Sequence, residues 1–121
     1  MNSNRLYEDY FRDMADYAEK AMRFVHGVSF ENFQDDEQKI FAVVYALGVI
    51  GEAARHIPKS MREKYSDVPW KKITGMRDKV IHDYMSVDLN VVWRTVHEDL
   101  PPLRETVKRI LETLEDETKS E

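Results

Sequence analysis

The chain contains no cysteine among its 121 residues, and it has only four glycines and four prolines. The lack of cysteine excludes disulfides, a thiolate nucleophile, and zinc or iron–sulfur sites with cysteine ligands. No apolar run approaches the roughly 18 residues that a membrane-spanning helix needs, and the polar segment Asn2-Ser3-Asn4-Arg5 is unlike a signal peptide. These absences predict a cytoplasmic protein with no membrane partner.

What the chain does have is charge and apolar residues at helical spacing. It is 34% charged and 42% hydrophobic, a balance that is typical of amphipathic helices. Apolar residues recur at intervals of three and four in helices predicted for residues 3–26 and 36–56, and no strand-like alternation is present. We expect an all-α fold, an up-and-down bundle of four to five helices. It forms a single domain over residues 1–115, followed by an acidic, frayed tail over residues 116–121.

The second predicted helix is apolar on more than one face. Such a helix either lies at the centre of the bundle or is covered on one side by a second copy of the chain. Its interior contains Gly48 and Gly51, which cost about 1 kcal/mol each relative to alanine. Tight helix packing is the obvious compensation, and a homodimer fits the excess of apolar surface.

The net charge of −5 is an average over two opposite segments. Residues 112–121 hold five acidic residues and one lysine, whereas residues 55–79 hold eight basic residues and three acidic ones. Nucleic-acid binding needs local positive charge because counterion release supplies much of the affinity. The basic middle of the chain therefore keeps RNA open as a partner, and a solvated helical surface is the alternative interpretation.

The segment Arg77-Asp78-Lys79-Val80-Ile81-His82-Asp83-Tyr84 concentrates side chains that act on phosphates. Arginine contacts phosphate oxygens in a fork, and histidine transfers protons near neutral pH. On a straight helix Arg77 and Tyr84 share a face, while Arg77 and His82 point about 140° apart. Either the helix breaks near His82, or the site is completed across a dimer axis. A salt-bridged surface is the alternative to a site.

The other three histidines, His26, His56 and His97, lie near the ends of predicted helices. The helix dipole is a sufficient reason for a histidine at the C-terminal end of a helix. No pair of histidines has a metal-ligand spacing with a third acidic residue nearby. We therefore expect no metal site and no cofactor.

The spacing of Arg77, His82 and Tyr84, Arg-x4-His-x-Tyr, resembles the signature of the HEPN superfamily and is most similar to that of its HepT-like toxins. The resemblance covers nearly the whole chain. It also rests on Ile50-Gly51-Glu52-Ala53-Ala54, Pro69-Trp70-Lys71-Lys72-Ile73-Thr74-Gly75-Met76, Val92-Trp93 and Asp99-Leu100-Pro101. The resemblance implies a helical homodimer and a metal-independent endoribonuclease, with the motif residues of both subunits meeting in a cleft at the dimer interface.

The resemblance also implies roles for individual residues. Arg77 and His82 would be catalytic in attack of the RNA 2′-hydroxyl on the adjacent phosphodiester, with His82 as acid or base and Arg77 stabilising the developing charge. Asp78 would support His82 or position the 2′-hydroxyl. Glu52 is either a buried carboxylate paired with an arginine or histidine, or a member of the cleft. Candidates for contacts to RNA phosphates are Lys71, Lys72, Lys79 and Arg55.

The partners expected from the resemblance are RNA, either tRNA or mRNA, and an antitoxin. That antitoxin is a minimal nucleotidyltransferase of the MntA type, which transfers AMP from ATP to the motif tyrosine. Here the acceptor would be Tyr84, and its anionic adduct would block the cleft. The alternative is a non-catalytic regulatory or binding subunit of a minimal nucleotidyltransferase, with Tyr84 simply as the acceptor.

Overall fold

A computed structural model describes residues 3–82 and 86–120 of the chain. Most of these residues are helical, so the predicted all-α class is confirmed. In chain order the elements are α1 (Ser3–Phe24), α2 (Phe30–Gln34), α3 (Glu37–Arg55), α4 (Lys59–Lys64), α5 (Trp70–Thr74), α6 (Met76–Val80), β1 (Ile81–His82), β2 (Ser86–Val87), α7 (Leu89–Arg94), a π-helical turn (Thr95–Asp99) and α8 (Leu100–Ser120).

Helix α1 packs antiparallel to α3. Near the start of α1, the ring of Tyr10 stacks on His56, the residue that caps the end of α3, with the ring centroids 4.8 Å apart. Further along α1, the ring of Tyr17 meets that of Tyr45 at 6.3 Å. Residues later in α1 thus contact residues earlier in α3, so the two helices run in opposite directions, as expected for neighbours in an up-and-down bundle.

Helix α8 lies against α1, and it too is antiparallel to α1. Arg12 Nη2 lies 3.5 Å from Glu115 Oε1, and Arg104 Nη2 lies 3.5 Å from Glu19 Oε1. The three long helices enclose a core of fully buried side chains, which includes Phe11, Met14, Leu47, Ile50, Leu100 and Leu114.

The sequence predicts helix starts at Asp36 and Asp88 and a helix stop at Gly27, and the two starts are confirmed. The side chain of Asp36 accepts a hydrogen bond from the Lys39 backbone N–H at the start of α3, and Asp88 accepts one from Val91 N–H at the start of α7. These side chains satisfy backbone donors that the first turn leaves open. Gly27 has a φ of 73°, in the left-handed region that ends many helices. Helix α1 itself ends at Phe24, two residues earlier than predicted.

The predicted number of four to five helices is not confirmed, because the described residues form eight α-helices. Proline and glycine divide the segment after α3 into three short helices: Pro58 and Pro69 are the N-cap residues of α4 and α5, and Gly75 is the C-cap of α5. Asp99, two residues before Pro101, also predicts the start of the last helix, and this prediction is wrong. The π-helical turn carries α7 into α8 without interruption, and the Asp99 carboxylate accepts a hydrogen bond from Lys72 at 2.8 Å instead.

The motif helix ends before His82. Helix α6 stops at Val80, and β1 then pairs antiparallel with β2, with His82 opposite Ser86. The Asp88 backbone N–H donates to the Val80 carbonyl oxygen at 2.9 Å, which directs the chain back on itself. The straight-helix alignment of Arg77 with Tyr84 therefore does not apply, and the predicted break near His82 is confirmed.

Helix α8 extends to Ser120, so the acidic end of the chain is helical as far as that residue. Lys64 Nζ on α4 lies 3.2 Å from Glu117 Oε1 on α8. The domain boundary at residue 115 stays a prediction. Within the described part of the chain, no helix combines the length and the apolar character that are needed to cross a membrane.

Candidate functional site

An open cleft of about 480 Å³ lies between α3 and α6. One stripe of α3 forms most of its wall, and Arg77 reaches it from α6. The stripe residues are spaced alternately by four and three, which places them on one side of a helix. They are Phe41, Tyr45, Gly48, Glu52 and Arg55.

The stripe changes in character along its length. Phe41 and Tyr45 are exposed aromatic residues, with 59% and 67% of their surface accessible. Glu52 and Arg55, two turns further on, are charged and exposed. The opposite side of α3 is buried in the core. The prediction that this helix is apolar on more than one face is thus confirmed, and part of its apolar surface faces the cleft.

Two glycines let other elements approach α3 closely. A Cβ atom placed on Gly48 would lie 3.6 Å from Arg77 Cδ, so the arginine side chain passes directly over this residue. A Cβ on Gly51 would lie 3.3 Å from the backbone oxygen of Ile73, at the end of α5. The close packing that is expected in return for a helical glycine is therefore present at Gly51, whereas at Gly48 the neighbour is one arginine side chain at ordinary contact distance.

Arg55 connects the charged end of the stripe to the motif helix. Its Nη2 lies 3.5 Å from Asp78 Oδ2, and its Nη1 lies 3.9 Å from Glu52 Oε2. The Glu52 side chain is 64% exposed, so its interpretation as a buried carboxylate is wrong, whereas its pairing with an arginine is confirmed. The neighbouring glycines Gly48 and Gly51 are contacted by Arg77 and by the end of α5, whereas the Glu52 side chain stays open.

The predicted lysines lie outside this cleft. Lys72 is bound to Asp99, in a smaller groove of about 280 Å³ between α5 and α8. Lys71 and Lys79 are exposed, and neither forms an ion pair within the part of the chain that the structure describes. The structure thus joins Arg77 with Arg55, Glu52 and Asp78, and it does not bring the three lysines to the same cleft.

His82 is placed only through its backbone, on β1 directly after the motif helix. Tyr84 lies outside the described residues, as does Asp83. Among residues 3–82 and 86–120, no three histidine, aspartate or glutamate side chains are grouped so that they could hold a metal ion.

The comparison with protein families matches residues 14–110 to a family described as "Ribonuclease HepT-like". The match spans the cleft, the motif and most of the bundle. The chain belongs to the HepT-like ribonuclease family. Ribonuclease activity is therefore the class of function that the comparisons support.

Individual relatives of this HepT-like chain agree. It is 41% identical over 100 residues to a "Probable ribonuclease HepT" from Thermococcus cleftensis, covering 83% of this chain and 91% of the relative. It is 48% identical over 88 residues to a "Putative RNase" from Caldanaerobacter subterraneus, covering 73% and 79%. A "Putative RNase" from Methanocaldococcus jannaschii is 38% identical over 103 residues, covering 85% of both chains. No match was found among solved structures.

Phe41 and Tyr45 line the cleft of this HepT-like protein, although the sequence does not predict them there. Their spacing along the chain could have indicated it. The two aromatic residues continue the series of Gly48, Glu52 and Arg55 at spacings of four and three, which places all five on one side of a helix. Spacing alone, however, does not indicate which side of the helix faces the core and which side faces a cleft.

Proposed function

We propose that this HepT-like protein is the toxin of a toxin–antitoxin pair and a metal-independent endoribonuclease. One observation carries the proposal: Arg77, the first residue of the Arg-x4-His-x-Tyr motif, lies over Gly48 in an open cleft. Arginine there can bind a phosphodiester in the bidentate manner that its planar fork permits. His82 follows five residues later in the chain, beyond the end of the motif helix.

The reaction we propose is transesterification. A base removes the proton of the RNA 2′-hydroxyl, the 2′-oxygen forms a bond to the adjacent phosphorus, and the bond from phosphorus to the 5′-oxygen breaks. The departing 5′-oxygen receives a proton, so the products are a 2′,3′-cyclic phosphate and a 5′-hydroxyl. His82 supplies the acid or base function. Arg77 stabilises the charge on the phosphorane, and Asp78 and Glu52 support this machinery.

We further propose that two copies of the chain form a homodimer, and that the motif residues of both subunits act in one shared cleft. The support is the family resemblance together with the open shape of the cleft in a single chain, which leaves Arg77 exposed. A shared cleft gives a chain of this size a water-restricted site that one copy lacks. In a two-fold dimer each surface contributes equally.

The proposed regulator is a minimal nucleotidyltransferase antitoxin of the MntA type. The hydroxyl oxygen of Tyr84 would form a bond to the α-phosphorus of ATP, and pyrophosphate would leave. The support is position: Tyr84 is two residues from His82 in the chain, so an attached AMP lies within reach of the same site. Its negative charge would compete with RNA phosphate for Arg77.

One observation favours the alternative, a non-catalytic binding subunit of a nucleotidyltransferase. Arg55 has two carboxylates within 4 Å, those of Glu52 and Asp78. They offset positive charge in the cleft, which weakens the attraction for RNA. In this alternative Tyr84 is only an acceptor of AMP, and the free protein cleaves nothing.

The decisive test is RNA cleavage by the purified chain in EDTA. We expect cleavage by the wild type and its loss in Arg77→Ala and His82→Ala, with thermal melting unchanged. Arg94→Ala is the matched control, because Arg94 is an exposed arginine on α7 that pairs with Glu98. Cleavage by His82→Ala contradicts the role of His82, and a requirement for metal contradicts the metal-independent mechanism. Binding of the transferase without any RNA cleavage supports the alternative.

The modification has its own test. Intact mass spectrometry after co-expression with the cognate nucleotidyltransferase should reveal added AMP that maps to Tyr84. Tyr84→Phe should carry no adduct and should stay active in the presence of the transferase. Adducts that persist in Tyr84→Phe assign the acceptor to another residue.

A further inference from the structure

The end of α3 is held by one arginine of the next helix. Arg62, on α4, donates a hydrogen bond from Nε to the Ile57 carbonyl oxygen at 2.8 Å. Its Nη2 donates to the carbonyl oxygens of Ala54 and Arg55, at 3.0 Å and 3.4 Å. The last carbonyls of an α-helix lack their usual partners, and they carry the negative end of its dipole. The guanidinium group of Arg62 therefore satisfies these acceptors and opposes their charge.

The same arginine is tied to Trp70, the first residue of α5. Its Cζ lies 5.7 Å from the centroid of the Trp70 ring, within the range of a cation–π contact. Trp70 Nε1 donates in turn to the carbonyl oxygens of Arg62 and Tyr65, each at 3.1 Å. The buried ring of Phe11 meets the Trp70 ring at 5.9 Å from the core side. Arg62 and Trp70, here named the clamp, thus join the end of α3 to the start of α5.

A second contact holds the same two helices together one turn earlier on α3. Gly51 lies so close to α5 that an added Cβ would be 3.3 Å from the backbone oxygen of Ile73. Two contacts that are separated along a helix fix the direction of its neighbour, whereas one contact leaves the neighbour free to pivot. The direction of α5 therefore depends on the clamp as well as on Gly51.

The helical path continues from α5 into the motif helix α6. Gly75 alone separates the two helices. The Gly75 backbone N–H donates to the Lys71 carbonyl oxygen at 3.2 Å, and the Lys79 N–H donates to the Gly75 carbonyl oxygen at 3.0 Å. A rotation of α5 is therefore passed on to α6, which carries Arg77.

The clamp also restrains the charged residue on the opposite wall of the cleft. One carbonyl that accepts from Arg62 belongs to Arg55, whose own side chain lies 3.5 Å from Asp78 on α6. An exposed ion pair of this type is too weak to hold two long side chains in one arrangement. A fixed backbone at Arg55 limits the positions that its guanidinium group can reach relative to the motif helix.

We propose that Arg62 is a positioning residue for RNA cleavage, and that it sets the separation between the end of α3 and the motif helix. The inference rests on the proposed ribonuclease function and adds a residue that does not line the cleft. The fork of Arg62 should matter more than its charge. A lysine has one nitrogen, so it cannot donate to the Ile57 and Ala54 carbonyls from two nitrogens held in one plane.

The first test measures kcat and KM for RNA cleavage by Arg62→Lys, well below the melting temperature of the variant. We expect kcat to fall about 10- to 100-fold, the range for a small displacement of catalytic groups. KM should stay close to the wild-type value, because the groups that bind RNA are all present. A role in stability alone would lower the melting temperature and leave kcat of the folded protein unchanged.

The matched control is Arg104→Lys. Arg104 is also half-buried, and its ion pairs with Glu19 and Glu105 join α8 to α1. This variant should melt at a lower temperature and keep the wild-type kcat. A wild-type kcat in Arg62→Lys overturns the proposal, and so does an equal loss of kcat in the two arginine variants.

A second variant tests the other half of the clamp. Trp70→Phe keeps a ring for the cation but loses both hydrogen bonds of the indole nitrogen, so its kcat should also fall. Trp93→Phe is its control, because Trp93 packs on Phe30 and Phe33, at 5.6 Å and 5.3 Å, on another side of the bundle. A loss of kcat in Trp93→Phe that matches the loss in Trp70→Phe contradicts a specific role for the clamp.

Amide hydrogen exchange tests the clamp without any cleavage. In Arg62→Lys, exchange should become faster in residues 76–80 of the motif helix, and in Arg104→Lys it should not. Faster exchange that is confined to residues 54–58 would limit Arg62 to capping α3 and would overturn the positioning role.

The outcomes separate this inference from the proposed function. If the wild type cleaves RNA and Arg62→Lys has the same kcat, the clamp has no part in the reaction and the ribonuclease assignment stands. If the wild type cleaves no RNA, the ribonuclease assignment is wrong, and faster exchange in residues 76–80 of Arg62→Lys would still support control of the motif helix by Arg62. Absence of cleavage together with unchanged exchange overturns both.

Discussion

The side chain of Arg77 passes over Gly48, so that an added Cβ would sit 3.6 Å from Arg77 Cδ. That distance is an ordinary van der Waals contact, and a larger side chain would occupy the path that the arginine takes into the cleft. We predict that Gly48→Ala keeps RNA cleavage and raises the free energy of unfolding by up to about 1 kcal/mol, through helix propensity. Gly48→Leu should reduce cleavage by up to about 100-fold, because the arginine is displaced. Equal cleavage rates for Gly48→Leu and the wild type would show that Arg77 finds another path.

Gly51 should respond in the opposite way to the same substitution. A Cβ there would lie 3.3 Å from the backbone oxygen of Ile73, which can move only if α5 moves. Overpacking of this kind costs about 1–3 kcal/mol, more than the gain in helix propensity. We predict that Gly51→Ala lowers the free energy of unfolding in urea titrations, with Gly48→Ala as its control in the same helix. A stabilised Gly51→Ala would mean that α5 is free to separate from α3.

Substitution of the adjacent lysines Lys71 and Lys72 should have different effects, on RNA binding for Lys71 and on stability for Lys72. Lys72 Nζ lies 2.8 Å from Asp99 Oδ1, whose side chain is only 19% exposed, whereas Lys71 forms no ion pair among the described residues. We predict that Lys72→Ala lowers the free energy of unfolding by about 1 kcal/mol. Lys71→Ala should leave stability unchanged and reduce the slope of log affinity for single-stranded RNA against log salt by about 0.7. An unchanged slope removes Lys71 from the phosphate contacts.

Features of the fold that depend on local interactions could be predicted from the sequence. Asp36 and Asp88 cap helices because a short acidic side chain satisfies nearby backbone donors, and Gly27 lies in the turn after α1 because it tolerates a positive φ. Each of these effects depends on residues within one turn, so spacing along the chain reveals them. The class of the fold follows from the same local patterns.

The end of the motif helix at Val80 depends on contacts across the chain. It coincides with the pairing of Ile81 with Val87 and with the hydrogen bond from Asp88 to Val80, which no helical periodicity encodes. The exposure of Tyr45 is of the same kind, because it depends on which side of α3 the other helices cover. The sequence named Arg77 but did not indicate which aromatic residues would accompany it.

Three carboxylates on α1, those of Asp9, Asp13 and Asp16, should make the free energy of unfolding depend on pH. Partial desolvation raises the pKa of the Asp13 carboxyl, and the neighbouring carboxylates of Asp16 and Asp9 add to the rise. A carboxyl with a raised pKa in the folded state resists ionisation, so above that pKa it lowers stability, and below about pH 4 the penalty disappears. We predict that Asp13→Asn melts at a higher temperature than the wild type at pH 7. The gain should shrink as the pH falls towards 4.

The control for that experiment is Asp9→Asn. Asp9 lies 3.4 Å from Arg12, so its removal should give no gain at pH 7. A gain in Asp13→Asn that is independent of pH would assign the effect to helix propensity rather than to ionisation.

The ion pair between Arg55 and Asp78 should influence binding more than stability. The two groups are 3.5 Å apart, and their side chains are 48% and 72% exposed. Exposed pairs of this type contribute about 0.2–1 kcal/mol, so a double-mutant cycle with Arg55→Ala and Asp78→Asn should yield a small coupling energy in urea titrations. Binding should differ more, because each carboxylate near Arg55 competes with an RNA phosphate for the same guanidinium group.

The two single variants should therefore shift RNA affinity in opposite directions. Arg55→Ala removes a cation from the cleft and should weaken binding of a 2′-O-methyl oligoribonucleotide, which cannot be cleaved because it has no free 2′-hydroxyl, with a shallower dependence on salt. Asp78→Asn frees Arg55 for phosphate and should tighten binding. If Asp78 also supports His82, the same variant should cleave RNA more slowly at saturating substrate, so that KM and kcat both fall. Tighter binding with an unchanged kcat would restrict Asp78 to the ion pair, since its carboxylate would then have no part in the chemical step.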